Sequence, residues 1–195
     1  MSVINSTWQQ FLENGDETTF SVLYNCYVED MYSYGISLGF QKEICKDAVQ
    51  DVFYKLYISR KELCHITNGA AYIFKSYKHR LIDIAHKNIK NEPVPIPDSF
   101  ITDITVLDNL IDTEKAIILK KKVEELLGNL TPRQREAVYL RYMMELEYEE
   151  ISEILNISPE SVRKLVYRSM EKLREYATKE CISPLIWIIL FTFRQ

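Results

Sequence analysis

The chain is poor in residues that interrupt helices, with only five glycines and six prolines among 195 residues. That scarcity argues against a sheet with many tight turns, and the wealth of Leu, Ile, Tyr, Glu and Lys suits long helices. An all-α fold is expected. The four cysteines, Cys26, Cys45, Cys64 and Cys181, stand far apart with no C-x-x-C spacing, and no apolar signal segment precedes them. They read as reduced thiols in a cytoplasmic protein rather than as a disulfide framework. Cys64 beside His65 starts no metal site of known spacing, because His79 and His86 lie far along the chain, so no metal is expected. No glycine-rich phosphate loop and no nucleophile–base pair is present, which leaves no basis for an enzyme, a cofactor or a small-molecule substrate. A net positive charge is also missing: 24 Lys and Arg stand against 28 Asp and Glu, a formal charge of −4. Binding to nucleic acid by global electrostatics is thereby excluded, and any such binding has to come from local patches.

Such patches exist. Lys75, Lys78, Arg80, Lys87 and Lys90 crowd one stretch with Asp83 as the lone acid, and Arg163, Lys164, Arg168, Lys172 and Arg174 crowd another. Acid collects between them and again at Glu145, Glu147, Glu149, Glu150 and Glu153.

Apolar residues at spacings of three and four predict a helix from Thr18 to Leu38, stopped by Gly39. A second helix begins near Lys42, with Ala48, Val49, Val52, Phe53 and Leu56 on one face and Asp47, Gln50 and Asp51 on the other. A third, capped by Thr67 or Asn68, ends near Asn88. Three prolines in alternate positions between Asn91 and Asp98 then forbid helix. The expected organisation is two compact helical domains, residues 1–90 and 113–180, the second a helix-turn-helix, joined by a flexible proline-containing linker over 91–112. An apolar tail follows over 181–195, too short to span a membrane, which takes about 20 residues, and expected to pack on a protein surface.

In the second domain Thr131-Pro132-Arg133-Gln134 has the form of a capping box with a first-turn proline. Farther on, a short helix holding Ile151, Ile154 and Leu155 is followed by Asn156-Ile157-Ser158 and a longer basic helix from Pro159 to about Tyr176. Helix, tight turn and basic helix describe a helix-turn-helix. Val162, Val166, Met170 and Leu173 form an inward stripe on the second helix, leaving Ser161, Arg163, Lys164, Tyr167 and Arg168 on its other face. A solvated basic face on a helical hairpin fits the same pattern.

The segments Leu130–Val138, Tyr148–Leu155, Ser158–Arg163 and Lys172–Arg174 together resemble the fourth conserved region of bacterial sigma factors, which reads the minus-thirty-five promoter element. The output domains of response regulators carry similar helices. Glu145 and Glu147 stand where that family often has Gly and a Ser or Thr cap, so the turn before Tyr148 is expected to be partly helical. Asp47-Ala-Val-Gln-Asp-Val-Phe53 resembles the signature of sigma region two. The resemblance implies that Asp47, Gln50 and Asp51 meet the basic clamp of core RNA polymerase while Phe53 packs inward. Tyr72–Asp83 is similar to the part of region two that opens the minus-ten element. This implies promoter contacts from Lys75, Lys78, His79 and Arg80, with a base pocket in the loop from about Ser59 to Asn68. His79 occupies a position where the family commonly has Asn.

Order and length match the compact extracytoplasmic-function class, whose implied partners are core RNA polymerase, promoter DNA and an anti-sigma factor. Two rivals stay open. A stand-alone helix-turn-helix regulator would leave the Asp47–Phe53 helix without a task, and a helical adaptor would not require two basic patches.

Overall fold

The computed structural model describes residues 2–88, residue 100 and residues 114–179, and every described element is helical. Four helices make up the first half: α1 Ser2–Asn14, α2 Glu17–Ser37, α3 Lys42–Ser59 and α4 Gly69–Asn88, with a 3₁₀ turn over Arg60–Leu63 between the last two. The sequence reading missed α1. Its signal was the spacing of Trp8, Phe11 and Leu12, all buried, ahead of Gly15, which takes a left-handed φ of 64°. The Trp8 indole N–H donates to the Ile66 carbonyl at 2.9 Å, tying α1 to the loop that leads into α4. Gly69 lies against the Trp8 ring so closely that a Cβ there would come within 2.4 Å of it.

Local chemistry explains the helix ends. The Asp16 carboxylate accepts from the Thr19 N–H at 2.9 Å and starts α2. Asn68 performs the same office for α4, accepting from the Ala71 N–H at 3.1 Å. Gly35, inside α2, allows the closest approach of α4: a Cβ there would stand 2.2 Å from the Tyr77 hydroxyl. The core of this half is aromatic, with Phe53 of α3 edge-on to Phe20 and Tyr24, and Phe74 of α4 edge-on to Tyr27 and Tyr34.

The second half holds α5 Glu114–Gly128, α6 Pro132–Tyr142, α7 Tyr148–Leu155 and α8 Pro159–Lys179. The expected capping box is present: the Gln134 N–H donates to the Thr131 hydroxyl at 3.3 Å, and the Thr131 N–H donates to the Gln134 side chain at 3.0 Å. The expected partly helical turn before Tyr148 is corrected. Helix α6 ends at Tyr142, and Glu145 itself takes the left-handed conformation, φ 58°, where the family often has Gly. The reason is Leu146, which is buried beneath α6 with its N–H bonded to the Leu140 carbonyl at 3.0 Å, so the chain has to double back. The Glu147 N–H then donates to the Glu150 carboxylate at 2.6 Å and opens α7.

The two halves pack on one another. Helix α7 lies along α4, and one continuous buried cluster runs through both halves. At this seam the Tyr34 and Tyr139 rings stack with centroids 6.1 Å apart. Phe100, the one described residue of the expected linker, fits beside both. The rest of that linker and the apolar tail lie outside the described residues. Among the described residues, no helix is long and apolar enough to cross a membrane and no cluster of side chains has the makings of a metal site.

Candidate nucleic-acid interface

The turn of the helix-turn-helix is made by Asn156, whose φ of 52° and ψ of 51° end α7 in the left-handed conformation. The Ser158 hydroxyl accepts from the Ser161 N–H at 3.2 Å and lies 2.8 Å from the Ser161 hydroxyl, so Ser161 is engaged in starting α8. Val162, Val166, Met170 and Leu173 are all buried against α6 and α7. Ser161, Arg163, Lys164, Tyr167 and Arg168 are all exposed on the opposite face, Tyr167 at 59%. The structure thus gathers these five residues on one open helical surface, of a size that fits a major groove.

Details along that surface differ. The Lys164 ammonium pairs with Glu160 one turn earlier at 2.7 Å, with both side chains well exposed. Tyr167 hydrogen-bonds Glu171, which pushes its phenol pKa up. The Arg163 guanidinium lies over the ring of Tyr148, 5.2 Å from its centroid.

In the first half Asp47 and Gln50 are exposed on α3, and Gln50 borders a shallow groove walled by Tyr24, Val28 and Tyr32 of α2. Asp51 is turned elsewhere. Its carboxylate accepts from the Arg80 Nε at 2.7 Å and also from the terminal nitrogen of that guanidinium. The sequence reading assigned Asp51 and Arg80 to different ligands, and the structure pairs them with each other. Lys78 is likewise engaged, since its ammonium donates at 2.6 Å to Glu136 of α6, in the other half of the molecule. Lys75 is half-buried and His79 exposed. Of the three cations expected to form a track on α4, two hold carboxylates of the same chain.

Glu136 was not singled out in the sequence. It is buried at the seam, where its carboxylate also accepts from the Tyr34 hydroxyl at 2.5 Å. Burial and the adjacent carboxylate push the Tyr34 phenol pKa well up. One acceptor therefore gathers Tyr34 from α2, Lys78 from α4 and its own helix α6, with Tyr34 and Glu136 102 positions apart in the sequence. Beside it Arg135 donates to the carbonyls of Phe100 at 2.7 Å and Leu130 at 3.0 Å, holding Phe100 against the turn before α6. A cleft of about 580 Å³ opens along the seam, walled by Leu38, Phe40, Ile82, Phe100 and Leu155, with Lys78, Arg133 and Glu136 as its charged members.

Comparison with known proteins agrees with this geometry. The model of the family described as Sigma-70, region 4 matches residues 120–173, which span most of α5 through most of α8. The chain is 26% identical over 157 residues to the ECF RNA polymerase sigma factor SigM of Bacillus subtilis (strain 168), covering 80% of this chain and 93% of that protein. It is 23% identical over 157 residues to the RNA polymerase sigma factor YlaC of the same organism, covering 80% of this chain and 91% of the relative. Among solved structures, that of CnrH in complex with the cytosolic domain of CnrY superposes with a TM-score of 0.57 at 16% identity. The superposition covers 93% of this chain and 97% of that one, a likeness of fold.

Proposed function

We infer that this chain, an RNA polymerase sigma factor of the extracytoplasmic-function class, binds core RNA polymerase in the cytoplasm and directs it to promoters. The observation that carries the reading is the coincidence of the region-four match with a helix-turn-helix whose second helix turns Ser161, Arg163, Lys164, Tyr167 and Arg168 outward from a buried stripe. These five residues read the minus-thirty-five element from the major groove. The first half, residues 1–90, docks on the polymerase clamp through Asp47, Gln50 and Asp51, and meets the minus-ten element through Lys75, Lys78, His79 and Arg80. The protein has no chemistry of its own to supply, and strand opening draws on binding energy.

The pairs Lys78–Glu136 and Arg80–Asp51 give this reading a sequence of events. In the free chain both cations are neutralised and the two halves are packed together, so promoter DNA is bound poorly. Docking on core polymerase parts the halves along the α4–α7 seam and frees Lys78, after which two weak DNA contacts on one body reinforce each other. CnrH is seen in complex with the cytosolic domain of CnrY, and an anti-sigma factor is the remaining partner expected for this chain.

The test is transcription from genomic fragments by core polymerase with and without the protein, alongside comigration of the protein with core. Stimulation at defined promoters is expected. Asp47→Arg is the cleaner clamp variant, because Asp47 is exposed whereas Asp51 holds Arg80, and it should weaken the affinity for core by like-charge contact. A tight sequence-specific shift of DNA by the protein alone, with no stimulation of core polymerase, would mark a stand-alone regulator instead.

A further inference from the structure

The Arg163 guanidinium is not left to wander at the surface of α8. It lies over the Tyr148 ring at 5.2 Å, and the same ring carries a second guanidinium, that of Arg141, at 4.9 Å. Arg141 is anchored from behind: it donates to the Leu146 carbonyl at 2.8 Å and pairs with the Glu147 carboxylate at 3.0 Å. Glu147 thus offsets one of the two positive charges gathered at the ring, and the turn before α7 holds the whole stack in place. Tyr148 is the first residue of α7, the helix that precedes the turn, so its ring bridges the two helices of the motif.

A free arginine must give up rotamer freedom before it can present its planar fork to a guanine edge. A guanidinium within about 6 Å of an aromatic centroid is attracted to the ring face, and this pre-orders it. We propose that Tyr148 is a positioning residue for DNA recognition, its ring holding Arg163 ready for one base pair of the upstream promoter element. The proposal rests on the reading of α8 as the promoter-reading helix. Arg141 and Glu147 act through Tyr148, as supports of the ring.

The experiment measures base preference at each position of the upstream element, by sequencing transcripts whose barcodes identify each member of a randomised promoter library transcribed by core polymerase with the full-length chain. Arg163→Ala should flatten the preference at one position. Tyr148→Leu should reduce it at that same position by about two- to fivefold, the range that a surface cation–π contact supports. Tyr148→Phe, which keeps the ring face and loses only the hydroxyl, should restore it. With Arg163→Ala already present, Tyr148→Leu should change nothing further, a coupling that a purely structural role would not produce. The proposal is overturned if Tyr148→Leu leaves that position untouched, if Tyr148→Phe is as damaging as Tyr148→Leu, or if the two substitutions add independently. Should Arg163→Ala leave every position unchanged, Arg163 reads no base and the proposal falls with it. Failure of the unsubstituted protein to direct core polymerase anywhere is a different result, which removes the sigma-factor reading first and this proposal with it.

Discussion

Two stretches of this chain carry comparable clusters of lysine and arginine, on α4 and on α8, and packing treats them in opposite ways. On α4, Lys78 reaches into the seam to a carboxylate that is nearly sealed from water, and Arg80 is held by Asp51 of the neighbouring helix. On α8, the partner of Lys164 is an exposed glutamate of the same helix, and Arg163 and Arg168 stay at the surface. An exposed pair of this kind contributes little and opens at almost no cost, whereas a buried pair robbed of one member leaves a charge or hydroxyl without water or partner. A run of basic residues in a sequence therefore counts cations without saying which are available. In the free chain Arg163, Lys164 and Arg168 of α8 face solvent, whereas Lys78 and Arg80 of α4 are held by Glu136 and Asp51.

The contrast can be broken most forcefully at Glu136. Replacing it with Ala removes the shared acceptor of Tyr34 and Lys78, and about 3–5 kcal/mol of stability should be lost, the usual result of breaking a buried pair from one side. Urea unfolding measures this, and a midpoint matching that of the unsubstituted protein would show that the seam does not depend on the carboxylate. The milder Glu136→Gln keeps an acceptor for Tyr34 but drops the charge opposite Lys78. It should let the halves separate more readily and raise DNA binding by the free protein, readable as a stronger mobility shift without polymerase.

On the open side, Arg168→Ala should lower transcription from promoters with an intact upstream element by about tenfold, within the range of a lost bidentate base contact, while leaving the unfolding midpoint in place. Lys78→Ala should impair strand opening more than initial binding, which permanganate footprinting of the melted region distinguishes, and by leaving Glu136 without its cation it should also lower the urea midpoint. Thr131→Ala tests the scaffold rather than the charges: loss of the capping box should cost about 1 kcal/mol, seen in urea unfolding. Glu160→Ala belongs at the small end. It frees Lys164 from an exposed partner and should leave thermal unfolding unchanged, and a clear destabilisation there would contradict the view of α8 as an open face.

Much of the architecture was legible because helices are local objects. The boundaries of α2 and α3 follow from apolar spacing and from Gly39, the start of α6 from the Thr131 capping box, and the turn of the helix-turn-helix from Asn156. The inward stripe of α8 follows from period alone. Helix α1 went unread although Trp8, Phe11 and Leu12 carried its signal, and the left-handed Glu145 was obscured because nothing local favours Glu in that conformation. Only the burial of Leu146 demands it.

What the amino-acid sequence determined by itself is the helical class, the helix-turn-helix and the set of side chains on each helix face, all of which depend on residues a few positions apart. Which of those side chains meet a partner from a distant element was decided by the tertiary structure alone. Tyr34 looked like one more aromatic on an apolar stripe and Glu136 like one more acid among arginines, until packing brought them together across 102 residues with Lys78 as the third member. A carboxylate can be satisfied by any cation or hydroxyl within reach, and reach is a property of the folded chain, so no period or spacing records the choice.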